Sequence, residues 1–99
     1  MGNLASAYRV VGHYNDALKL DHDVLEFKRR VLPGDHPDVA TAMNNLATTY
    51  FAMHNFRKSE EYAKSAVEVL LRANYRPDHP SMVTCMSNLR DIRKHLSKS

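Results

Sequence analysis

The stretch MNNLATTY (residues 43–50) decides the fold, because its pattern occurs three times along the chain. It appears first as MGNLASAY (residues 1–8), 42 residues earlier, and again as MSNL (residues 86–89), 43 residues later. One copy of this length cannot cover its own apolar face, so neighbouring copies must stack to bury a continuous core. The repeat therefore predicts a solenoid that fills the whole chain.

Apolar residues recur at helical spacing in five blocks, most of them separated by Gly or Pro, so the sequence predicts an all-α solenoid of about five helices. The predicted helices span about 2–11, 14–32, 36–53, 56–74 and 81–96. Three of them are expected to bury regular apolar stripes: Ala17, Leu20, Val24, Phe27 and Val31 in the second; Tyr62, Ala66, Val69 and Leu70 in the fourth; and Met82, Met86, Leu89 and Ile92 in the last.

The tripeptide Asp35-His36-Pro37 returns 43 residues later as Asp78-His79-Pro80 and predicts two helix starts. Proline in the first turn of a helix loses no hydrogen bond, because the amide that it lacks would have had no helical partner. The preceding Asp or His side chain can accept a hydrogen bond from one of the remaining free amides.

Composition excludes several classes of function. The net charge of +3 and pI of about 9.2 favour acidic partners only weakly, and no apolar run is long enough for a membrane span or an export leader. The lone Cys85 cannot form an internal disulfide, which fits a cytoplasmic protein, and is expected to be a small core residue. The six histidines lack paired metal-ligand spacing, and no phosphate loop or paired carboxylates occur, so we expect no metal, no cofactor and no catalysis.

The repeat resembles the tetratricopeptide repeat (TPR), in the 42-residue form found in kinesin light chains. That family places a Leu, a small residue and a Tyr in the first helix of each pair, as in Leu46, Ala47 and Tyr50. The resemblance implies further small positions in the second helix, held here by Ala17 and Ser59, and later by Val24 or Ala66. The third copy departs from the pattern at Arg90 and Arg93, so it is expected to supply only one helix.

The resemblance implies a single domain over residues 1–99, made of two and a half repeats. Repeat 1 covers about 1–34, repeat 2 about 35–77, and a C-terminal capping helix about 78–99. The chain begins inside its first predicted helix, which suggests either a fragment of a longer array or an unfinished first repeat whose apolar face lacks a neighbour.

In the family, the first helices of the pairs line a concave groove that binds peptides. The recurrent asparagines would lie there, where their amides can donate to and accept from a peptide backbone; alternatively, they bond one another or water. The predicted groove comprises Asn3, Ser6, Arg9, Thr41, Asn44, Asn45, Thr48, Phe51, Ala52, Thr84, Asn88, Asp91 and Lys94.

The sequence thus predicts a non-enzymatic scaffold that binds a peptide or partner helix of acidic or neutral character. The alternative is a self-association module, a homodimer or helix-exchanged pair that covers the uncompleted ends of the array. Nucleic-acid binding is disfavoured, because no aromatic residues interleave with the basic run at 28–30 or with the basic residues of the last helix.

Overall fold

The structure, a computed structural model, describes residues 13–32 and 34–97. These residues form four helices, numbered here in chain order as α1 (Tyr14–Val31), α2 (Pro37–Ala52), α3 (Phe56–Arg72) and α4 (Pro80–Ser97). The all-α class is confirmed, and the bounds lie within two residues of those predicted from the sequence. The first predicted helix, at about 2–11, falls outside the described residues.

Histidine side chains cap the starts of α2 and α4. The backbone N–H of Asp38 donates to Nδ1 of His36 at 3.0 Å, and the backbone N–H of Ser81 donates to Nδ1 of His79 at 3.2 Å. Of the two candidate caps in the first tripeptide, His36 is therefore the one used. The other candidate, Asp35, instead pairs with Arg72 at the end of α3, at 2.9 Å.

The turns after α2 and α3 share one capping geometry. His54 and Asn74 adopt positive φ angles of 63° and 65°. The following amides, of Asn55 and Tyr75, donate back to the carbonyls of Tyr50 and Leu70 at 2.9 and 3.0 Å, as in a Schellman motif. This geometry ends each helix within one residue and reverses the chain.

The core is centred on α2, which packs between α1 and α3 and also touches α4. Large apolar side chains from three helices fill it, with Leu46, Leu70, Met82 and Val39 each at most 2% exposed. Seven of the sixteen residues of α2 are buried: Val39, Ala40, Ala42, Met43, Leu46, Ala47 and Thr49.

Small residues let α2 and α3 approach closely. Ala47, Ser59 and Ala63 are each at most 1% exposed, and the Ser59 hydroxyl donates to the backbone carbonyl of Ala47 at 2.6 Å. The small-residue positions at Ala17, Ser59 and Ala66 are all fully buried, as the repeat pattern predicted. The predicted inward face of α3 is also confirmed, with Ala66, Val69 and Leu70 buried and Tyr62 half-buried.

The prediction for α1 was partly wrong. Ala17 is buried and Leu20 and Val24 are half-buried, but Phe27 is 47% and Val31 56% exposed. The buried positions are Ala17, Asp21 and Leu25, because Asp21 finds a hydrogen-bond donor inside, the Thr49 hydroxyl of α2 at 2.5 Å. This bond lets a carboxylate replace an apolar side chain in the packed face, which apolar periodicity cannot reveal.

The prediction for α4 was wrong at one position. Met86 is 48% exposed, while Met82, Leu89 and Ile92 are buried as predicted. Cys85 takes the interior position next to Met86, which confirms that the lone cysteine is a core residue.

Replacement of Ala47 by Leu tests the close approach of α2 and α3. Three extra carbons at this fully buried position would overpack the contact and lower the free energy of unfolding by about 1 to 3 kcal/mol. Urea denaturation followed by circular dichroism measures the loss. Ala52→Leu, at a half-buried position of the same helix, is the matched control and should cost much less; equal stability of both variants and the parent would exclude this packing.

Candidate functional site

The candidate site is an inner groove between α2 and α4, formed by two adjacent pockets. One pocket, of about 130 Å³, is lined by Ala47, Thr48, Phe51, Asn88, Asp91 and Ile92. The other, of about 210 Å³, is lined by Thr41, Asn44, Pro80, Ser81, Thr84 and Cys85. Both are open to solvent, and all of their lining residues belong to α2 or α4.

A pair of asparagines spans the groove. The Nδ2 of Asn88 donates to Oδ1 of Asn44 at 2.9 Å. Because Asn44 lines one pocket and Asn88 the other, their bond lies at the boundary between the two pockets. The alternative considered from the sequence was a bond among the recurrent asparagines Asn3, Asn45 and Asn88. Instead, Asn88 bonds Asn44, the residue next to the recurrent Asn45. The bond leaves the Asn44 amino group, the Asn88 carbonyl oxygen and one Asn88 N–H available to a ligand.

Asn45 differs from this pair. Its side chain is half-buried on α2 and forms no hydrogen bond with any other residue in the described ranges. Its amide therefore retains its donor and acceptor capacity. By contrast, the hydroxyls of Thr41 and Thr48 donate to carbonyls of their own helix, those of Pro37 and Asn44, at 3.2 and 3.0 Å.

The structure brings together seven of the thirteen predicted groove residues. Thr41, Asn44 and Thr84 line one pocket, and Thr48, Phe51, Asn88 and Asp91 line the other. Asn45 and Ala52 lie half-buried on α2, outside the two linings. Lys94 instead lines a separate groove between α3 and α4. The remaining three, Asn3, Ser6 and Arg9, lie outside the described residues.

Sequence reasoning missed the floor of the groove. Ala47 and Ile92 are almost fully buried and were read as core, yet both line the smaller pocket. The Ala47 methyl group is too short to fill the space between α2 and α4, so the close packing that it allows against α3 also leaves a hollow on this side. In the sequence, the only indication of this hollow was the small residue that recurs in the repeat.

An aromatic cluster supports one end of the groove. The Phe51 ring meets the ring of His95 edge-on at 4.8 Å and that of Phe56 at 5.3 Å. The His95 ring in turn stacks on Phe56 at 5.0 Å. These contacts hold the Phe51 side chain, so one wall of the smaller pocket is preorganised.

The groove contains few reactive side chains. Its single charged lining residue is Asp91, and burial raises the pKa of the Cys85 thiol, which keeps it protonated and weakly nucleophilic. On the opposite side of α2, burial raises the pKa of Tyr50, with smaller contributions from Tyr62 and Glu61. In the described parts of the chain, no group of His, Cys, Asp or Glu is arranged to hold a metal, and no helix has the length and apolar character to cross a membrane.

Antiparallel helix pairs stacked with a groove between their first helices define an α-solenoid of helical repeats. The sequence profile of the tetratricopeptide repeat family matches residues 1–72, which is more than half of the chain. The chain therefore belongs to the tetratricopeptide repeat family.

Two solved structures share the fold. The first contains nearly identical TPR-like repeats attributed to a kinesin light chain of Podospora anserina; its TM-score is 0.90, with 22% identity over 98% of this chain and 46% of that one. A single-substitution variant of that protein has a TM-score of 0.89, with 22% identity over 98% of this chain and 45% of its own. The present chain thus spans less than half the length of either structure, and identity this low shows the fold alone. Among curated proteins, none matches the chain.

Stability measurements should separate the roles of the asparagines. Asn88→Ala removes the bond to Asn44 and should lower the free energy of unfolding by about 0.5 to 1.5 kcal/mol. Asn45→Ala breaks no hydrogen bond among the described residues and should leave stability almost unchanged. Thermal unfolding of both variants tests this, and an equal loss in the two would contradict the bonding pattern.

Proposed function

We propose that the chain is a non-enzymatic protein-interaction scaffold that binds an extended peptide or a partner helix in the inner groove. The observation that carries the proposal is the groove itself, where apolar surface from Ala47, Phe51 and Ile92 lies beside the amides of Asn44 and Asn88. Apolar surface with a few placed polar groups is the usual composition of a binding site, because the first supplies affinity and the second fixes orientation.

The groove suits recognition of a backbone. The amides of Asn44 and Asn88 keep both donor and acceptor capacity. Asn45 keeps all of its capacity and lies one helical turn from both Thr41 and Thr48, at the edge of the inner groove. Together the three amides can satisfy the N–H and C=O groups of a peptide without reading its side chains. The smaller pocket beside them would take an apolar side chain. This combination favours a peptide with one apolar anchor.

A neutral peptide fits better than an acidic one. The sequence left both open, but the pocket linings contain Asp91 and no Lys or Arg. An acidic residue placed beside Asp91 would meet a like charge, whereas a neutral segment would not.

The proposal extends to the organisation and location of the chain. We place two repeats, at about 1–34 and 35–77, and a capping helix at about 78–99 in one domain, supported by the two matching helix starts at His36 and His79. A cytoplasmic location rests on the sequence alone.

Self-association is the second candidate. It is supported by the exposed apolar side chains of Phe27 and Val31 on α1, which a second copy could cover in a twofold pair. The sequence also predicts that Leu4 and Val11, in the first predicted helix, contribute to an uncovered apolar face, but these two residues lie outside those that the structure describes. Sedimentation at micromolar and millimolar concentrations decides this alternative, since a constant monomer mass would exclude it.

Peptide binding can be tested without knowledge of the natural ligand. Peptides selected from a random displayed library against this chain should bind the inner groove. Asn45→Ala should weaken their binding by about 1 to 3 kcal/mol, because the backbone groups that it satisfies would then lack a partner. Isothermal titration calorimetry measures the change.

Asn15→Ala is the matched control, since Asn15 is an exposed asparagine on α1, away from the groove. It should leave the affinity of the selected peptides unchanged. If no peptide is selected, or if Asn45→Ala and a blocking Thr48→Arg variant both bind as the parent does, the inner groove is not the recognition site.

A further inference from the structure

A second groove, between α3 and α4, has a different chemistry from the inner one. It is open to solvent, has a volume of about 950 Å³, and is lined by Val67, Pro77, Val83, Met86, Ser87, Leu89, Arg90, Arg93, Lys94 and Ser97. We refer to it as the outer groove. Of the predicted groove residues that the structure describes, Lys94 alone lines it, and the proposed peptide function does not use it.

The outer groove has the shape of a seat for a helix. Its α4 residues recur every three or four positions from Val83 to Ser97, so they form one continuous stripe along that helix. Fourteen residues separate the two ends, which corresponds to about 21 Å of helix axis at 1.5 Å per residue. Val67 and Pro77 form the opposite wall, so an α-helix of about four turns would lie between two walls.

The groove is divided into an apolar and a basic half. Val83 and Met86, which are 52% and 48% exposed, lie at the end nearer the start of α4. The charged residues of the lining are all basic and lie in the other half: Arg90, Arg93 and Lys94. An occupant must therefore offer apolar residues at one end and acidic residues at the other.

Two of the three cations are available to a partner. Arg93 already pairs with Glu60 of α3 at 3.1 Å. Arg90 and Lys94 are exposed and form no ion pair with any residue in the ranges 13–32 and 34–97. Carboxylates on an incoming helix would meet these two charges without breaking an existing contact.

A second copy of the chain fits this groove poorly. Pairing of two outer grooves would bring together both sets of Arg90, Arg93 and Lys94. The exposed apolar face of α1 is no better suited, because Lys28, Arg29 and Arg30 surround Val31 in its last turn. Like charges facing each other oppose association in either arrangement.

From this geometry we propose that the outer groove binds an amphipathic helix of another protein, with an apolar stripe and acidic residues toward one end. An antiparallel orientation to α4 places those acidic residues in the N-terminal half of the incoming helix. Carboxylates are favoured there by the helix dipole as well as by Arg90 and Lys94. The surface is separate from the inner groove, so the two could be occupied independently.

Two synthetic peptides provide the test. Each has about 16 residues, is held helical by a side-chain lactam, and carries the same leucine stripe; one bears glutamates in its N-terminal half and the other bears lysines at the same positions. Fluorescence anisotropy measures binding to the full chain. The glutamate peptide should bind at least about tenfold more tightly than the lysine peptide, and the difference should shrink in high salt.

Variants of the groove locate the binding site. Met86→Glu should weaken binding of the glutamate peptide by at least about tenfold, while Val31→Glu, at an equally exposed apolar position on α1, should not. If Met86→Glu lowers the helix content of the chain, Val83→Ser tests the apolar end of the outer groove without adding a charge. The double variant Arg90→Glu with Lys94→Glu should reverse the preference and favour the lysine peptide.

Four outcomes would overturn the proposal. The first is that neither peptide binds at concentrations up to about 1 mM, and the second is that both peptides bind equally tightly. The third is that Thr48→Arg, in the inner groove, abolishes binding while Met86→Glu does not. The fourth is that the parent sediments as a dimer that Met86→Glu converts to a monomer, which would assign the groove to a second copy. The Asn45 experiment on selected peptides is unaffected by any of these outcomes, so the two proposals fail separately.

Discussion

The contact between Ser59 and the backbone of Ala47 fixes how α2 and α3 pack, and α1 and α4 pack onto that pair. A hydroxyl can reach a helix carbonyl at 2.6 Å only where the two helix backbones come close together, and here small side chains on both helices allow it. The bond also satisfies a polar group at a site from which water is excluded, so a shift of α3 along α2 would lose this bond between the helices. The register of α2 and α3 is thus fixed by the loss of this hydrogen bond in any other register as well as by the burial of apolar side chains.

That register leaves only a narrow stripe of α2 uncovered by α1 and α3. The helix packs against α1 on one side and α3 on the other, and what remains between them faces α4. Apart from Phe51, the residues of this stripe are small or polar, which keeps the inner groove open. The outer face of α4 instead presents Val83 and Met86 beside the exposed cations of Arg90 and Lys94. The helix α4 therefore separates two surfaces that differ in charge. The surface toward α2 contains a single charged residue, Asp91, whereas the surface toward α3 is basic.

The sequence predicted the features that depend on local spacing. The spacing of apolar residues placed the helices, and the tripeptide ending in Pro37 predicted a helix start, because both act over a few neighbouring residues. Which side chain of that tripeptide serves as the cap, Asp35 or His36, was left open. The orientation of α1 was not predictable, since it depends on the bond between Asp21 and Thr49, two residues 28 positions apart. The floor of the inner groove was missed for the same reason, since its depth is set by how far apart α2 and α4 lie. Likewise, Lys94 lies in one groove or the other according to the rotation of α4. A one-dimensional pattern identifies the polar face of a helix but not the neighbour that it meets.

The histidine caps have a consequence for the shape of the inner groove. In both His36 and His79, Nδ1 accepts a backbone N–H in the first turn of the helix that follows, so α2 and α4 begin with the same geometry. The two walls of the groove are therefore built from the same helix start, 43 residues apart in the sequence. A chain that repeats this start repeats the placement of a groove wall, so the groove is a product of the repeat as much as of the side chains that line it.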